Sequence, residues 1–193
     1  RFAIDCDMPD YQQEDDPSTT DVVESDYLAD YYEVSLMDPE ALAWHSTDFN
    51  PTDGANWWCA DPEAADGEGG YLNNWVQYLD TPSFTVPVGG QLNADMYWYI
   101  ESAAGVPSNE EYDGWDQANI QVSTDGGTTF DVINCHTPYD FQCGYGGYYN
   151  GLGCQPGWAE LSEWHLETCS LSAYEGQEAI VRFAFLSDPC YAT

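Results

Sequence analysis

Residues 112–132, reading Y-D-G-W-D-Q-A-N-I-Q-V-S-T-D-G-G-T-T-F-D-V, constrain the fold more than any other stretch of the chain. Ile120 and Val122 alternate with Gln121 and Ser123, the period of a strand with one buried and one wet face. Asp125, Gly126 and Gly127 follow, and such residues tolerate the positive φ that a tight hairpin turn requires. Residues 128–133 resume a β-rich run in which Phe130 and Val132 face alike. The stretch predicts a β-hairpin. Asp113 and Asp116 stand just before its first strand, either as solvated loop charges or as oxygen ligands for a hard cation.

Similar short runs recur on both sides of the hairpin. Residues 56–59 (N-W-W-C) read as a buried strand, and residues 92–101 (L-N-A-D-M-Y-W-Y-I-E) as the longest strand, ending on Glu101. Residues 158–168 alternate like a strand, with Trp158, Leu161, Trp164 and Leu166 as its apolar members. Residues 179–186 form a last strand, with Val181, Phe183 and Phe185 on one face and Arg182 on the other. Short strands separated by turn signals, with no long amphipathic helix, predict an all-β fold, a two-sheet antiparallel β-sandwich. Trp57, Trp58, Trp75, Trp98 and Trp164 are expected to fill its core. Residues 1–26 read as an N-terminal strand followed by an acidic connector, and residues 27–193 as the sandwich domain.

Charge then limits the partners. Thirty-five acids face two bases, Arg1 and Arg182, for a net charge of -33. A surface this negative repels nucleic acid and anionic lipid alike. No apolar run is long enough to span a bilayer, so membrane insertion is not expected. Self-repulsion of this size destabilises the compact state unless salt or bound cations relieve it. The seven cysteines, at 6, 59, 135, 143, 154, 169 and 190, show no C-x-x-C pair and read as disulfides of an extracellular or cell-surface protein. The odd count leaves one over, as a free thiol or an intermolecular bridge. Residues 135–158, rich in Gly and Tyr and bracketed by Cys143 and Cys154, read as a stapled surface loop.

Calcium takes several oxygen ligands from carboxylates and turn carbonyls. The candidates are Asp61 and Asp66 in the loop D-P-E-A-A-D-G-E-G-G, Glu101 at a strand end, and Asp113 and Asp116 before the hairpin. Tyr145, Tyr148 and Tyr149 in the stapled loop, with Trp158 nearby, are candidates for stacking on a sugar ring, with protein contact and loop packing as alternatives. His45, His136 and His165 are isolated, and no nucleophile elbow, phosphate loop or catalytic Cys–His pattern occurs. Paired acids carry no specificity among 35, so no enzymatic activity is expected.

Several of these runs together resemble a known family. N-W-W-C at 56–59, G-Y-L-N-N-W-V-Q-Y-L-D-T-P at 70–82, the hairpin stretch, L-S-A-Y-E-G-Q at 171–177 and V-R-F-A-F-L-S-D at 181–188 are similar to the jelly-roll, MAM-like accessory domains of immune inhibitor A-type secreted bacterial proteins. The resemblance implies a jelly roll with a structural calcium, serving as a non-catalytic module. The H-E-x-x-H motif of the peptidase members has no match here. Family domains close with a strand resembling G-W-x-I-D-D-V, and the nearest equivalent is Phe2-Ala3-Ile4-Asp5-Cys6-Asp7. By resemblance this adds Asp5 and Asp7 to the calcium candidates. Phe2, Ala3 and Ile4 would then fill a gap in their own sandwich or in a neighbour's, or form a loose arm. Filling a neighbour's gap makes a homopolymer, a filament subunit of an extracellular fibre or surface layer, because the contact is head-to-tail. The alternative is a carbohydrate-binding accessory module of a larger exported enzyme.

Overall fold

The computed structural model describes residues 44–48, 55–61, 69–108 and 110–190. In chain order these form strands β1 (His45–Thr47), β2 (Asn56–Trp58), β3 (Val76–Asp80), β4 (Phe84–Thr85), β5 (Gln91–Ile100), β6 (Gln117–Ser123) and β7 (Asp131–Val132), then the short helix α1 (Tyr145–Tyr149), β8 (Glu160–Ser170) and β9 (Glu178–Leu186). One sheet runs β3-β9-β6-β7, with β4 also paired to β9; β5 pairs with β8, and β1 with β2. Among the described residues every strand pairing is antiparallel. The fold is an all-β antiparallel sandwich, as expected. Asp5, Asp7, Asp66, Phe2, Ala3 and Ile4 lie outside the described residues.

The hairpin forms where the glycines allow it. Gly126 and Gly127 take φ of 75° and 89°, and Val122 pairs with Asp131 across the turn. Asp125 ties the turn: its carboxylate accepts the Thr129 and Thr128 N–H groups and the Ser123 hydroxyl at 2.7–3.1 Å. The Thr129 N–H and hydroxyl, with the Ser123 hydroxyl, hold that carboxyl well below the usual carboxylate range.

Ile120 and Val122 bury against Val181 and Phe185 of β9 and meet Trp98, Ile100 and Cys169 of the β5–β8 layer. Apolar burial in this shared interior drives the two layers together. The opposite face of β6 is not wet, contrary to its alternation: Gln117, Asn119, Gln121 and Ser123 are buried too. The stapled loop covers Gln117, Asn119 and Gln121, and the hairpin turn holds Ser123. Asn119 donates to the Pro156 carbonyl at 2.9 Å, and Gln121 donates to Gln155 Oε1 and Asn119 Oδ1 at 3.1 and 2.9 Å. Polar side chains are buried there because the loop satisfies them. Gly144 and Gly157 let the loop close on Gln117; an added Cβ would sit 1.7 Å from its Oε1 and 2.4 Å from its Cβ, respectively.

Four aromatic and aliphatic assignments need correction. Trp57 is 58% exposed, whereas Trp75 and Trp98 are core residues as expected. Trp158 is completely buried, stacked on Trp98 at 4.9 Å, and its indole donates to the Thr137 carbonyl. Leu161 and Leu166 are 55% and 58% exposed. Glu167 and Cys169 point inward, so the two-residue period sends Leu166 out. An extra residue then enters β8 between the pairs Met96–His165 and Trp98–Ser162, and this bulge reverses parity and turns Leu161 outward.

Cys135–Cys169 and Cys143–Cys154 are disulfides, so the second closes the expected staple. Cys190 is disulfide-bonded as well. Cys59 is a free thiol, and burial pushes its ionisation far up. Among the described residues no helix is long and apolar enough to cross a membrane.

Candidate metal centre

Three strand ends converge at one end of the sandwich. Glu101 directly follows β5, Asp116 directly precedes β6, and Asp188 lies two residues past β9. The register causes the meeting: Gln117 pairs with Leu186, so the residues flanking that pair are brought side by side. The Asp188 N–H donates to Asp116 Oδ1 at 2.7 Å, and the Glu101 N–H donates to the Tyr71 hydroxyl at 2.9 Å. One carboxylate oxygen from each of Glu101, Asp116 and Asp188 lies within 4.8 Å of the others.

Asp116 and Asp188 are 0% and 1% exposed. Asp116 Oδ2 is buried with no hydrogen-bond partner. Burial, then the Asp188 charge and more weakly that of Glu101, push the Asp116 carboxyl well above the usual carboxylate range; the Asp188 N–H and the nearby Tyr71 hydroxyl oppose the rise without cancelling it. The chain has no lysine; of its two arginines, Arg182 is engaged with Asp80 elsewhere and Arg1 lies outside the described residues. Three acids in so small and dry a volume are unfavourable as three anions. A divalent cation answers both the charge and the vacant lone pairs. The donors are all oxygen, which suits a hard ion, Ca2+ or Mg2+, rather than a thiolate- or imidazole-seeking metal.

Among the described residues, Glu101 and Asp116 are the acids named from sequence that join this cluster. Asp113 instead braces the stapled loop, accepting the Cys143 and Gln142 N–H groups at 2.7 and 3.0 Å. Asp61 forms a backbone bridge with Gly70. Asp188 is the member of the cluster that sequence reasoning missed. Its signal was an acid just beyond a buried strand, the same position that Glu101 holds after β5. A second acid–sulfur group, Glu167 with Cys135 and Cys169, is no metal site because both sulfurs are spent in a disulfide. Burial would raise the Glu167 carboxyl, but hydrogen bonds led by those from Thr137 outweigh it and hold the group below its ordinary value.

The loop tyrosines lie beside this centre, since Gly146 of α1 packs on the Leu186 carbonyl. Tyr145 stacks on Tyr112 at 4.4 Å, with Tyr148 and Tyr149 further out at 6.4 and 5.7 Å from Tyr145. Tyr148 and Tyr149 are 42% and 48% exposed, and Tyr148 donates to Glu111 at 3.0 Å. Tyr112 therefore belongs to the aromatic platform, and buried Trp158 does not. No protein-family model matches the chain, and no curated protein matches it either.

Proposed function

We propose that this chain is a non-catalytic, exported, acidic β-sandwich of jelly-roll type that holds one structural Ca2+ on Glu101, Asp116 and Asp188 and serves a structural or adhesive role at the cell exterior. The observation that carries the reading is Asp116 Oδ2, buried and without a hydrogen-bond partner beside the carboxylates of Glu101 and Asp188. Disulfides support the exterior setting, since they persist in oxidising compartments. The large negative charge supports a calcium-rich or saline one. Calorimetric titration of the chelator-treated protein should give one Ca2+ per chain, tighter than Mg2+, and the Asp116→Asn variant should lose it. Equal, non-saturating heats from wild type and variant would defeat the reading.

Adhesion to carbohydrate is the second reading, favoured by the half-exposed Tyr148 and Tyr149 on the Tyr112–Tyr145 stack. Aromatic faces and an adjacent carboxylate are what a pyranose ring and its hydroxyls require. Retention on glycan-coated surfaces should fall for the Tyr148→Ala/Tyr149→Ala variant while its calcium titration is unchanged.

A further inference from the structure

The tyrosine platform and the acid cluster share their supports. Tyr145, Tyr148 and Tyr149 stand on α1, a five-residue helix with two glycines, Gly146 and Gly147, and no side chain capping its first turn. A helix so short and so rich in glycine does not hold its own shape in water. Its surroundings must shape it. The Tyr145 and Gly146 N–H groups donate to the Gly114 and Trp115 carbonyls at 2.8 and 3.0 Å, on the two residues directly before Asp116. Gly146 also lies against the exit of β9, where an added Cβ would sit 2.7 Å from the Leu186 carbonyl oxygen and 3.1 Å from the Ser187 carbonyl carbon. Asn150, next after the helix, donates through its side chain to the Ser187 and Gly146 carbonyls at 3.3 and 2.7 Å. Ser187 directly precedes Asp188. The helix therefore bridges the two chain segments that deliver Asp116 and Asp188. Trp115 extends the link to the third acid: it packs edge-on to Tyr145 at 6.1 Å, and its indole donates to the Ala104 carbonyl, three residues beyond Glu101, at 3.2 Å.

We infer that a cation held by Glu101, Asp116 and Asp188 orders this platform, so that ligand binding to Tyr148 and Tyr149 depends on Ca2+. The inference rests on the cation site proposed above. Ionised acids without an ion between them push the 114–116 and 186–188 segments apart, and a shared divalent ion draws both in. Because α1 is bonded to both segments, its amides and the rings it carries follow that spacing. The Cys143–Cys154 bridge and the Asp113 carboxylate fasten the base of the loop, but neither bonds to a residue of α1. The ligand this site suits is an uncharged ring such as a neutral sugar. Glu111 already accepts the Tyr148 hydroxyl at 3.0 Å, and the charge of Glu110 reaches Tyr145 and Tyr148, so an acidic sugar is repelled. Coupling of this kind is reciprocal in binding free energy: a ligand on the platform tightens Ca2+ by the factor by which Ca2+ tightens the ligand.

Amide hydrogen exchange of the chelator-treated full chain, followed with and without Ca2+ at fixed pH and ionic strength beside a calorimetric titration, separates the inference from the cation site. Ca2+ should slow the Tyr145, Gly146, Tyr148 and Asn150 amides about 5–150-fold, the range usual for coupled sites. The Thr129 amide, held by Asp125 in the distant hairpin turn, should keep its rate. Added Ca2+ should change none of these rates in Asp116→Asn. Asn150→Ala leaves all three acids in place; it should still bind Ca2+ but gain less protection at Tyr145 and Gly146 than wild type. No heat of Ca2+ binding would sink the cation site and the inference with it. Ca2+ that binds while α1 exchanges as before would overturn the inference alone, and the disulfide staple would then be what holds the platform. Equal retention on glycan-coated surfaces in chelator and in Ca2+ would overturn it as well.

Discussion

Along β9 the chain meets the same shortage of bases in two ways. In mid-strand, Arg182 lies directly opposite Asp80 of β3 and gives it two parallel hydrogen bonds of 2.8 Å each. The guanidinium is layered between Tyr78 and Phe130, 3.9 and 3.6 Å from their ring centres. Just past the strand's end, Asp188 faces Asp116 and Glu101, acid against acid. One acid is neutralised from within the fold and stays partly in water, at 38% side-chain exposure; in the other group Asp116 and Asp188 are buried beside each other. Three acids brought together in a dry corner are costly as three anions, and protonation of Asp116 or a bound cation would each relieve that cost. The contrast separates an acid that is part of the fold from acids that are a site.

Calcium gives the sharpest test of that contrast. At a free concentration about a thousandfold above its dissociation constant, a ligand bound only to the folded state adds about 4 kcal/mol. Scanning calorimetry with chelator and with Ca2+ should show that gain in wild type and in Asp80→Asn, and its loss in Asp116→Asn. A gain that survives Asp116→Asn would break the comparison, because the two regions would then respond alike.

Next in size is Arg182→Ala. It removes two charge-assisted bonds and two ring contacts, and strands Asp80 opposite nothing, for about 1–3 kcal/mol in urea denaturation. Arg182→Lys should recover less than half, since an ammonium cannot make the paired bonds. Neither change should alter calcium affinity.

The pH dependence sharpens the other half. Asp116 has its folded pKa raised, so between the ordinary carboxylate range and that raised value the folded state binds more protons than the unfolded one. Stability of the cation-free protein therefore falls as pH rises through this window, by at most about 1.4 kcal/mol per pH unit from this group. Calcium needs the deprotonated form, so its affinity should rise over the same window. Asp116→Asn should flatten the slope and be more stable than wild type in chelator. An identical slope in both proteins would show that Asp116 is not the titrating group.

Much of this was legible in the chain. The hairpin declared itself because its turn chemistry and alternation are local, and Gly126 and Gly127 adopt the positive φ expected of them. Glu101 and Asp116 could be named as candidates because each abuts a recognisable strand. What joins them to Asp188 is the pairing of Gln117 with Leu186, a contact across 69 positions that no local pattern encodes. The same limit explains Trp158 and Leu161. A tryptophan in a tyrosine-rich loop reads as surface until the loop folds back over β6, and a leucine's side depends on a bulge that only the partner strand reveals.

The smallest expected effect is that of Asp80→Asn, and its salt dependence decides what kind of pair Asp80 belongs to. A partly exposed pair contributes about 0.2–1 kcal/mol, and removing one acid from so negative a surface offsets part of the loss. At low ionic strength the net change should therefore be near zero or slightly stabilising. Raising salt screens the surface repulsion first, at about 8 Å near 0.15 M, while the two 2.8 Å contacts lie well inside that length. The variant should then become the less stable protein by about 0.5 kcal/mol in parallel urea titrations. Asp116→Asn in chelator should keep its advantage at every salt concentration, because the repulsion it relieves lies out of reach of mobile ions. If both variants drift together with salt, burial does not distinguish the two regions, and the acids at the end of β9 are ordinary surface charge.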